Sequence, residues 1–260
     1  MSASYAIAGF LVGTLVGVTG VGGGSIMAPL LILMFGFNPA VAVGTDLWFA
    51  AISKSFGGAI HRKMGSPDWL VIRRLAMGSI PASVATLVWL GAVHGGKLDS
   101  TVLLRLLGAA LVVSGALLPL KTQVRQPFLA IRERLGNGIR PYQRAATIFS
   151  GAAIGVLVTI TSVGAGALVA VALLILYPLR LDTKSLVGTD IIHAIPLALV
   201  AAIGQSWLGN VNWSLLGALL IGSIPGITIG AMFAGKVDER IVRGALSVML
   251  IISGVKLILN

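Results

Sequence analysis

Apolar residues run along this chain in blocks broken by glycine clusters and short basic segments. Leu103–Leu120, Ala145–Leu176, Leu215–Ala234 and Ile241–Leu259 each approach or exceed the roughly 18–20 residues a helix needs to cross a ~30 Å hydrocarbon core. The pattern predicts spanning helices over 42–60, 70–92 and 100–120, and again over 186–204, 212–234 and 240–259. A longer apolar stretch, 5–36 or 145–177, precedes each set. As one helix, residues 5–36 would measure about 48 Å at 1.5 Å per residue. Split at Gly20–Gly24, each arm has about 13–15 residues, or about 20 Å, short for a crossing. A re-entrant hairpin whose arms meet near the midplane satisfies both lengths. Two short full crossings fit the same pattern.

The two halves repeat each other. Gly44-Thr45-Asp46 recurs as Gly188-Thr189-Asp190, Gly78-Ser79-Ile80-Pro81 as Gly222-Ser223-Ile224-Pro225, and Trp69 as Trp213, all 144 residues apart. Gly9 and Gly13 match Gly151 and Gly155, and Val21–Gly24 matches Val163–Gly166, at an offset of 142. Order is preserved throughout, so the chain reads as an all-α membrane protein of two repeats, 1–120 and 145–260, joined by a basic linker at 121–144.

Composition narrows the class. Of 260 residues 57% are hydrophobic and only 10% charged, with mean hydropathy +0.99. A soluble domain carries about 25% charged residues, so hydrocarbon is the solvent expected for most of this surface. The formal charge of +11 points to basic cytoplasmic loops rather than to nucleic acid. A hairpin plus three crossings is an odd number of crossings, so the second repeat is expected upside down relative to the first. Loops 61–74, 121–144, 178–185 and 235–243 then share one face and hold fifteen of the nineteen Lys and Arg residues. Parallel repeats would give a much weaker bias, so the positive-inside rule favours inverted repeats in a multi-pass protein of the cytoplasmic (inner) membrane. There is no cysteine, and no metal site or cofactor is expected. The linker reads as a surface segment facing anionic lipid or as a solvated loop.

The breaks are the sharpest candidates for function. Thr19, Gly22, Gly23, Gly24 and Ser25 in the first, and Thr161, Ser162, Gly164 and Gly166 in the second, would put unwound backbone inside the membrane. Such backbone is tolerated only where protein or a polar cavity satisfies it. A helix starting at each break turns free N–H groups toward the centre, which suits an anion. The stripes Gly9-x3-Gly13-x3-Gly17 and Gly222-x3-Gly226-x3-Gly230 read instead as packing seams. Lys54 lies deep in its helix, where a charge costs roughly 2.5–3.5 kcal/mol on insertion scales. It would pair with the anion or an Asp, or snorkel to the interface, and it has no counterpart in the second repeat, where Ala198 stands. Asp46 and Asp190, with Thr45 and Thr189 before them, suit either helix caps or proton or cation coupling. His193 follows Asp190 on the same helical face, as part of a relay or as a structural histidine. Pro81 and Pro225 sit within matching helices.

These residues resemble the sulfite exporter TauE/SafE family of bacterial membrane transporters along essentially the whole chain. The resemblance rests on the Gly20-Val-Gly-Gly-Gly24 break with its apolar arm through Pro29, on Ala42-Val-Gly-Thr45, and on the repeated G-S-I-P segment with an upstream Trp. It implies secondary transport of a small sulfur-containing anion such as sulfite, thiosulfate or an organosulfonate. The sequence departs from that pattern at Asp46, where small hydroxyl residues are common, at Lys54, and in a second break without three consecutive glycines. A cation- or proton-linked transporter using Asp46 and Asp190, or an anion channel, fits the same residues. No grouping suits an intramembrane enzyme. The partners implied are a small anionic substrate, the lipid bilayer and a coupling proton or cation, with a homo-oligomer allowed.

Overall fold

The computed structural model describes residues 3–19, 25–60, 67–135, 140–164, 166–233 and 239–260. They form ten helices, and among the described residues there is no strand: α1 (Ala3–Thr19), α2 (Met27–Leu33), α3 (Pro39–Ile60), α4 (Trp69–His94), α5 (Ser100–Leu135), α6 (Arg140–Thr161), α7 (Ala167–Leu176), α8 (Thr183–Trp207), α9 (Trp213–Phe233) and α10 (Glu239–Leu259). Among the described residues six segments are long and apolar enough to cross a membrane, on α4, α5, α6, α8, α9 and α10. The peripheral faces are apolar. Trp69 and Trp213, at the matching starts of α4 and α9, are exposed, as expected of aromatic anchors at an interface.

Each broken stretch is a hairpin with unequal arms. α6 has 22 residues, including a 20-residue apolar span, whereas α7 has 10 and α2 only 7. At 1.5 Å per residue α7 and α2 are about 15 Å and 10 Å long, too short to cross alone. The arms of about equal length expected of residues 5–36 are therefore not found, α1 having 17 residues against 7 in α2, and in the second hairpin α6 continues backward into the basic segment at Arg140. Both hairpins close where they began. Tyr5 of α1 packs on Phe35 and Phe37, just beyond α2. Gln143 and Thr147 of α6 hydrogen-bond Leu176 O and the Tyr177 hydroxyl at the end of α7. α5 also outruns its expected end, staying helical through Leu135. No glycine interrupts it after Gly115 until Gly136.

Glycine sets how the halves join. α1 packs on α9 with backbone against backbone: Gly9 meets Leu219, Gly13 meets Ser223 and Gly17 meets Ile227. Gly222, Gly226 and Gly230 return the contact to Ala6, Phe10 and Thr14. A methyl group at any of these positions would run into a main-chain carbonyl, so the two stripes are packing seams, as expected. The same joint recurs between α6 and α4, with Gly151 on Leu75, Gly155 on Ser79 and Gly78 on Ile148. Residue numbers rise together in both joints, so each pair runs parallel, and each half lends its first helix to the other.

Two further pairs of equivalent helices, α3 with α8 and α5 with α10, face each other in opposite directions. Gly44 of α3 meets Asn210, and Trp48 Nε1 donates to Ser206 Oγ at 2.7 Å. Gly108 of α5 meets Gly254 of α10, and Gly115 O accepts from Ser247 Oγ at 2.6 Å. The helix starts are matched as well. Asn38 caps α3 and Asp182 caps α8, while Asp68 caps α4 and Asn212 caps α9. Helices α3 and α8 thus begin three residues earlier than expected, at Pro39 and Thr183.

Candidate functional site

Most of the polar side chains buried in the bundle lie on or between α3, α4, α6, α8 and α9. Asp46, the eighth residue of α3, is fully buried. Its carboxylate Oδ2 accepts a hydrogen bond from Ser162 Oγ at 2.7 Å. Ser162 belongs to the break between α6 and α7, so this bond ties a helix of the first half to the broken segment of the second. The Ala28 N–H in the first turn of α2 lies close to the same carboxyl, while Asp46 Oδ1 has no hydrogen-bond partner among the described residues. The second break and the helix that follows the first break therefore meet at one carboxylate. Neither α2 nor α7 has a side-chain cap at its start, which leaves first-turn N–H groups there to find other partners.

The second break is tightly wound. Ser162 has φ 59° and Gly164 φ 115°. A serine in the left-handed region is uncommon and persists only where its surroundings hold it. Thr161 Oγ1 does this locally, donating to Leu157 O at 2.6 Å and accepting from Val163 N at 3.2 Å. Gly166 stands at the N-cap of α7. In the first break Ser25 is half-buried. Gly22, Gly23 and Gly24 lie outside the described residues, as does the Thr19 side chain.

Lys54 is buried at 6% exposure and sits within electrostatic reach of both Asp190 and Asp46. Its burial argues against snorkelling, and the two carboxylates offset part of the cost of the charge. His193, one turn after Asp190 on α8, is fully buried and shares a 2.9 Å hydrogen bond with Ser79 Oγ through Nε2. Across the bundle the matching serine, Ser223, faces Ser53 at 3.4 Å. The capping role considered for Asp46 and Asp190 is not theirs, because their helices start seven residues earlier, behind Asn38 and Asp182.

Thr45 and Thr189 are used elsewhere. Thr45 Oγ1 accepts the N–H of Asn212 at 3.1 Å, and Thr189 Oγ1 accepts that of Asp68 at 3.0 Å. Each threonine latches the capping residue just before a spanning helix in the opposite half. A second polar web was not expected: Gln205 Nε2 donates to Thr159 O, Asn210 Nδ2 to Gln205 Oε1 and Gly96 O, and Thr159 Oγ1 to Ser83 Oγ. Ser79 and Ser223 stand inside the repeated G-S-I-P segment, so the recurrence of their hydroxyls is the sequence signal for this contact.

At one end of the bundle the starts of α4 and α6 meet the loop before α8. Arg74 donates to the Tyr177 hydroxyl at 3.0 Å, and Arg180 pairs with Asp68. A polar cavity of about 490 Å³ opens there, lined by Arg74, Gln143, Tyr177 and Arg180. Partial burial pushes the Asp68 carboxyl up, but hydrogen bonds from Arg180 and Val71 N–H and the Arg180 charge outweigh it and hold the carboxyl below its ordinary value.

The sequence profile of the sulfite exporter TauE/SafE family matches residues 5–257. The chain belongs to that family. Its relatives include "Probable membrane transporter protein YjnA" of Bacillus subtilis, 35% identical over 99% of this chain and 100% of the relative. Another, "Probable membrane transporter protein YdhB" of the same organism, is 29% identical over 96% of this chain and 97% of its own. An archaeal relative, "Probable membrane transporter protein MJ0441" of Methanocaldococcus jannaschii, is 24% identical over 94% and 89%. No solved structure matches. As a TauE/SafE protein the chain is a multi-pass membrane transporter, not an enzyme.

Proposed function

We propose that this TauE/SafE transporter carries a small sulfur-containing anion, such as sulfite, thiosulfate or an organosulfonate, by alternating access across the cytoplasmic membrane. The anion binds where the two broken segments meet. The observation that carries this reading is the Ser162–Asp46 hydrogen bond beside the start of α2, because it brings the second break to a buried carboxylate that the helix after the first break also reaches. Ligands come from the breaks, Thr19, Gly22, Gly23, Gly24 and Ser25 on one side and Thr161, Ser162, Gly164 and Gly166 on the other, with Lys54 supplying the counter-charge. The two halves act as inverted repeats. The opposed directions of α3 with α8 and of α5 with α10 support that arrangement, which places the basic loops together in the cytoplasm.

Counterflow in proteoliposomes tests the transport reading. Vesicles preloaded with unlabelled sulfite, thiosulfate, sulfate or an organosulfonate should accumulate labelled anion transiently above its equilibrium level. A channel shows no such stimulation, so its absence with every anion would remove the reading. Gly166→Leu should abolish counterflow while leaving an inserted, folded protein; normal exchange in that variant would take the second break out of the mechanism.

A further inference from the structure

Charge must balance in a site this well buried, and here the balance can be counted. Among the described residues the buried Asp, Glu, Lys, Arg and His side chains are Asp46, Lys54, Asp190 and His193. Helices α1, α2, α7 and α9 carry no ionisable Asp, Glu, Lys, Arg or His at all. On α4 such groups are Arg73 and Arg74 near its start and His94 at its end; on α5 they are Arg105, which is exposed, and the charged residues beyond Leu120, Glu133 among them; on α8, besides Asp190 and His193, there is Lys184 in the first turn. On α6 they are Arg140 and Arg144 in its first turns. On α10 they are Glu239, Arg240 and Arg243 at its start and exposed Lys256 at its end. Among the described side chains no other charged group is buried beside the cluster.

With both carboxylates ionised, Lys54 protonated and His193 neutral, the cluster carries a net charge of −1. An anion arriving at the break meets Asp46 first, since Ser162 and the start of α2 both adjoin it. Attraction and repulsion between charges grow as the local dielectric falls, so the ionised cluster would expel the anion that the transport reading requires. With both carboxyls protonated the cluster becomes +1, and only the ammonium is left to face the anion.

We propose that Asp46 and Asp190 each take up one proton as the anion enters, leaving Lys54 as its counter-charge, so that two protons travel with each anion. This rests on the transport reading above and names its coupling ion. The protons come from water on the side of entry and are released with the anion on the other side; no covalent bond to the anion forms. Symport of this kind runs with the proton gradient, which makes the protein an importer wherever that gradient points into the cell. The second half supplies a carboxylate and no lysine, so one cation serves two proton seats.

Linked equilibria give the test, because the slope of log Kd against pH counts the protons taken up on binding. The full chain is purified in detergent, and binding of methanesulfonate and thiosulfate, whose charges stay fixed from about pH 5 to pH 9, is followed by anion-induced thermal stabilisation. In the alkaline part of that range the wild-type Kd should rise about 100-fold per pH unit, the signature of two protons. Asp190→Asn should lower this to about tenfold per unit, and Lys54→Met should lose binding while keeping its unfolding transition. Should Asp190→Asn fail to fold, Asp46→Asn carries the same expectation and the wild-type slope stands alone. A wild-type Kd that is flat with pH overturns the proton proposal and leaves anion transport intact. The same holds if the slope in a folded Asp190→Asn equals that of the wild type. If neither anion binds at any pH, the anion reading falls and the proposal goes with it.

Discussion

The two halves of this protein agree in their joinery and disagree in their chemistry. Joints that fix position come in matched pairs: α1 on α9 and α6 on α4, Thr45 to Asn212 and Thr189 to Asp68, Asn38 and Asp182 at equivalent caps. Around the buried cluster the matching is incomplete. Lys54 corresponds to Ala198, His193 to Phe49 and Ser53 to Leu197, although Asp46 still matches Asp190 and Ser79 matches Ser223. Symmetry is complete where it sets distances between backbones and partial where charge is handled: the carboxylates Asp46 and Asp190 match, whereas Lys54 and His193 stand alone. The matched glycines and threonines are therefore the frame, and on the transport reading proposed above the unmatched Lys54 distinguishes the halves.

The comparison is most exposed at the glycine joints. Gly222→Val places a branched side chain against the Ala6 carbonyl and should cost at least the ~1–3 kcal/mol typical of overpacking, and more because backbone cannot yield easily. Gly78→Val, its equivalent against Ile148, should do the same, whereas Gly217→Ala, with open space around it, should leave the melting temperature unchanged. Thermal unfolding in detergent checks all three, and unequal losses at the two joints would break the matched-frame view. A smaller effect is expected from the unmatched charge. Lys54→Ala should weaken the anion at least about tenfold, or about 1.4 kcal/mol, with the concentration dependence of flux as the readout. Adding Ala198→Lys to that variant asks whether the charge works from the symmetry-related position, and partial recovery is expected. The least effect is expected at the helix latches. Thr45→Val and Thr189→Val each remove one hydrogen bond, near 1 kcal/mol, and should match each other. Breaking the exposed Asp68–Arg180 pair by Arg180→Ala should cost less than about 1 kcal/mol. Asp68 is held below its ordinary value, so its contribution is complete above the unfolded carboxylate range near 4. It disappears as pH falls through the lower folded value; pH-dependent melting of wild type and Arg180→Ala should therefore diverge near neutrality and converge in acid.

Much of the frame was legible in the sequence because it is written in glycine and hydropathy. The seams at Gly9–Gly17 and Gly222–Gly230, the broken stretches and five of the six long apolar helices (α4, α5, α8, α9 and α10) follow from spacing; the sixth, α6, reads in the sequence as a short hairpin arm, and α3, read as a spanning helix, is not among the six. Helix ends were less legible. The starts at Pro39 and Thr183 were missed because the capping Asn38 and Asp182 lie outside the apolar run, and α5 was cut short where its charges begin. The site was half legible. Asp46, Lys54, Asp190, Ser162 and His193 stand out as polar residues in apolar helices, but nothing in linear order says that Ser162 reaches Asp46 across 116 residues. Thr45 and Thr189 show the opposite failure. Their recurrence beside the aspartates suggested coupling, and the structure spends their hydroxyls on holding helices in place.

The exchange of first helices has a consequence for how the protein is made. Gly9 finds its seat on Leu219, a partner that leaves the ribosome 210 residues later. At ~5–20 residues per second that wait is about 10–40 s. Throughout it a glycine-lined face of α1 stands in the nascent chain with no mate. Biogenesis must therefore park this segment beside an insertase or in lipid until α9 arrives, and a ribosome that stalls before then leaves a fragment that quality control can recognise.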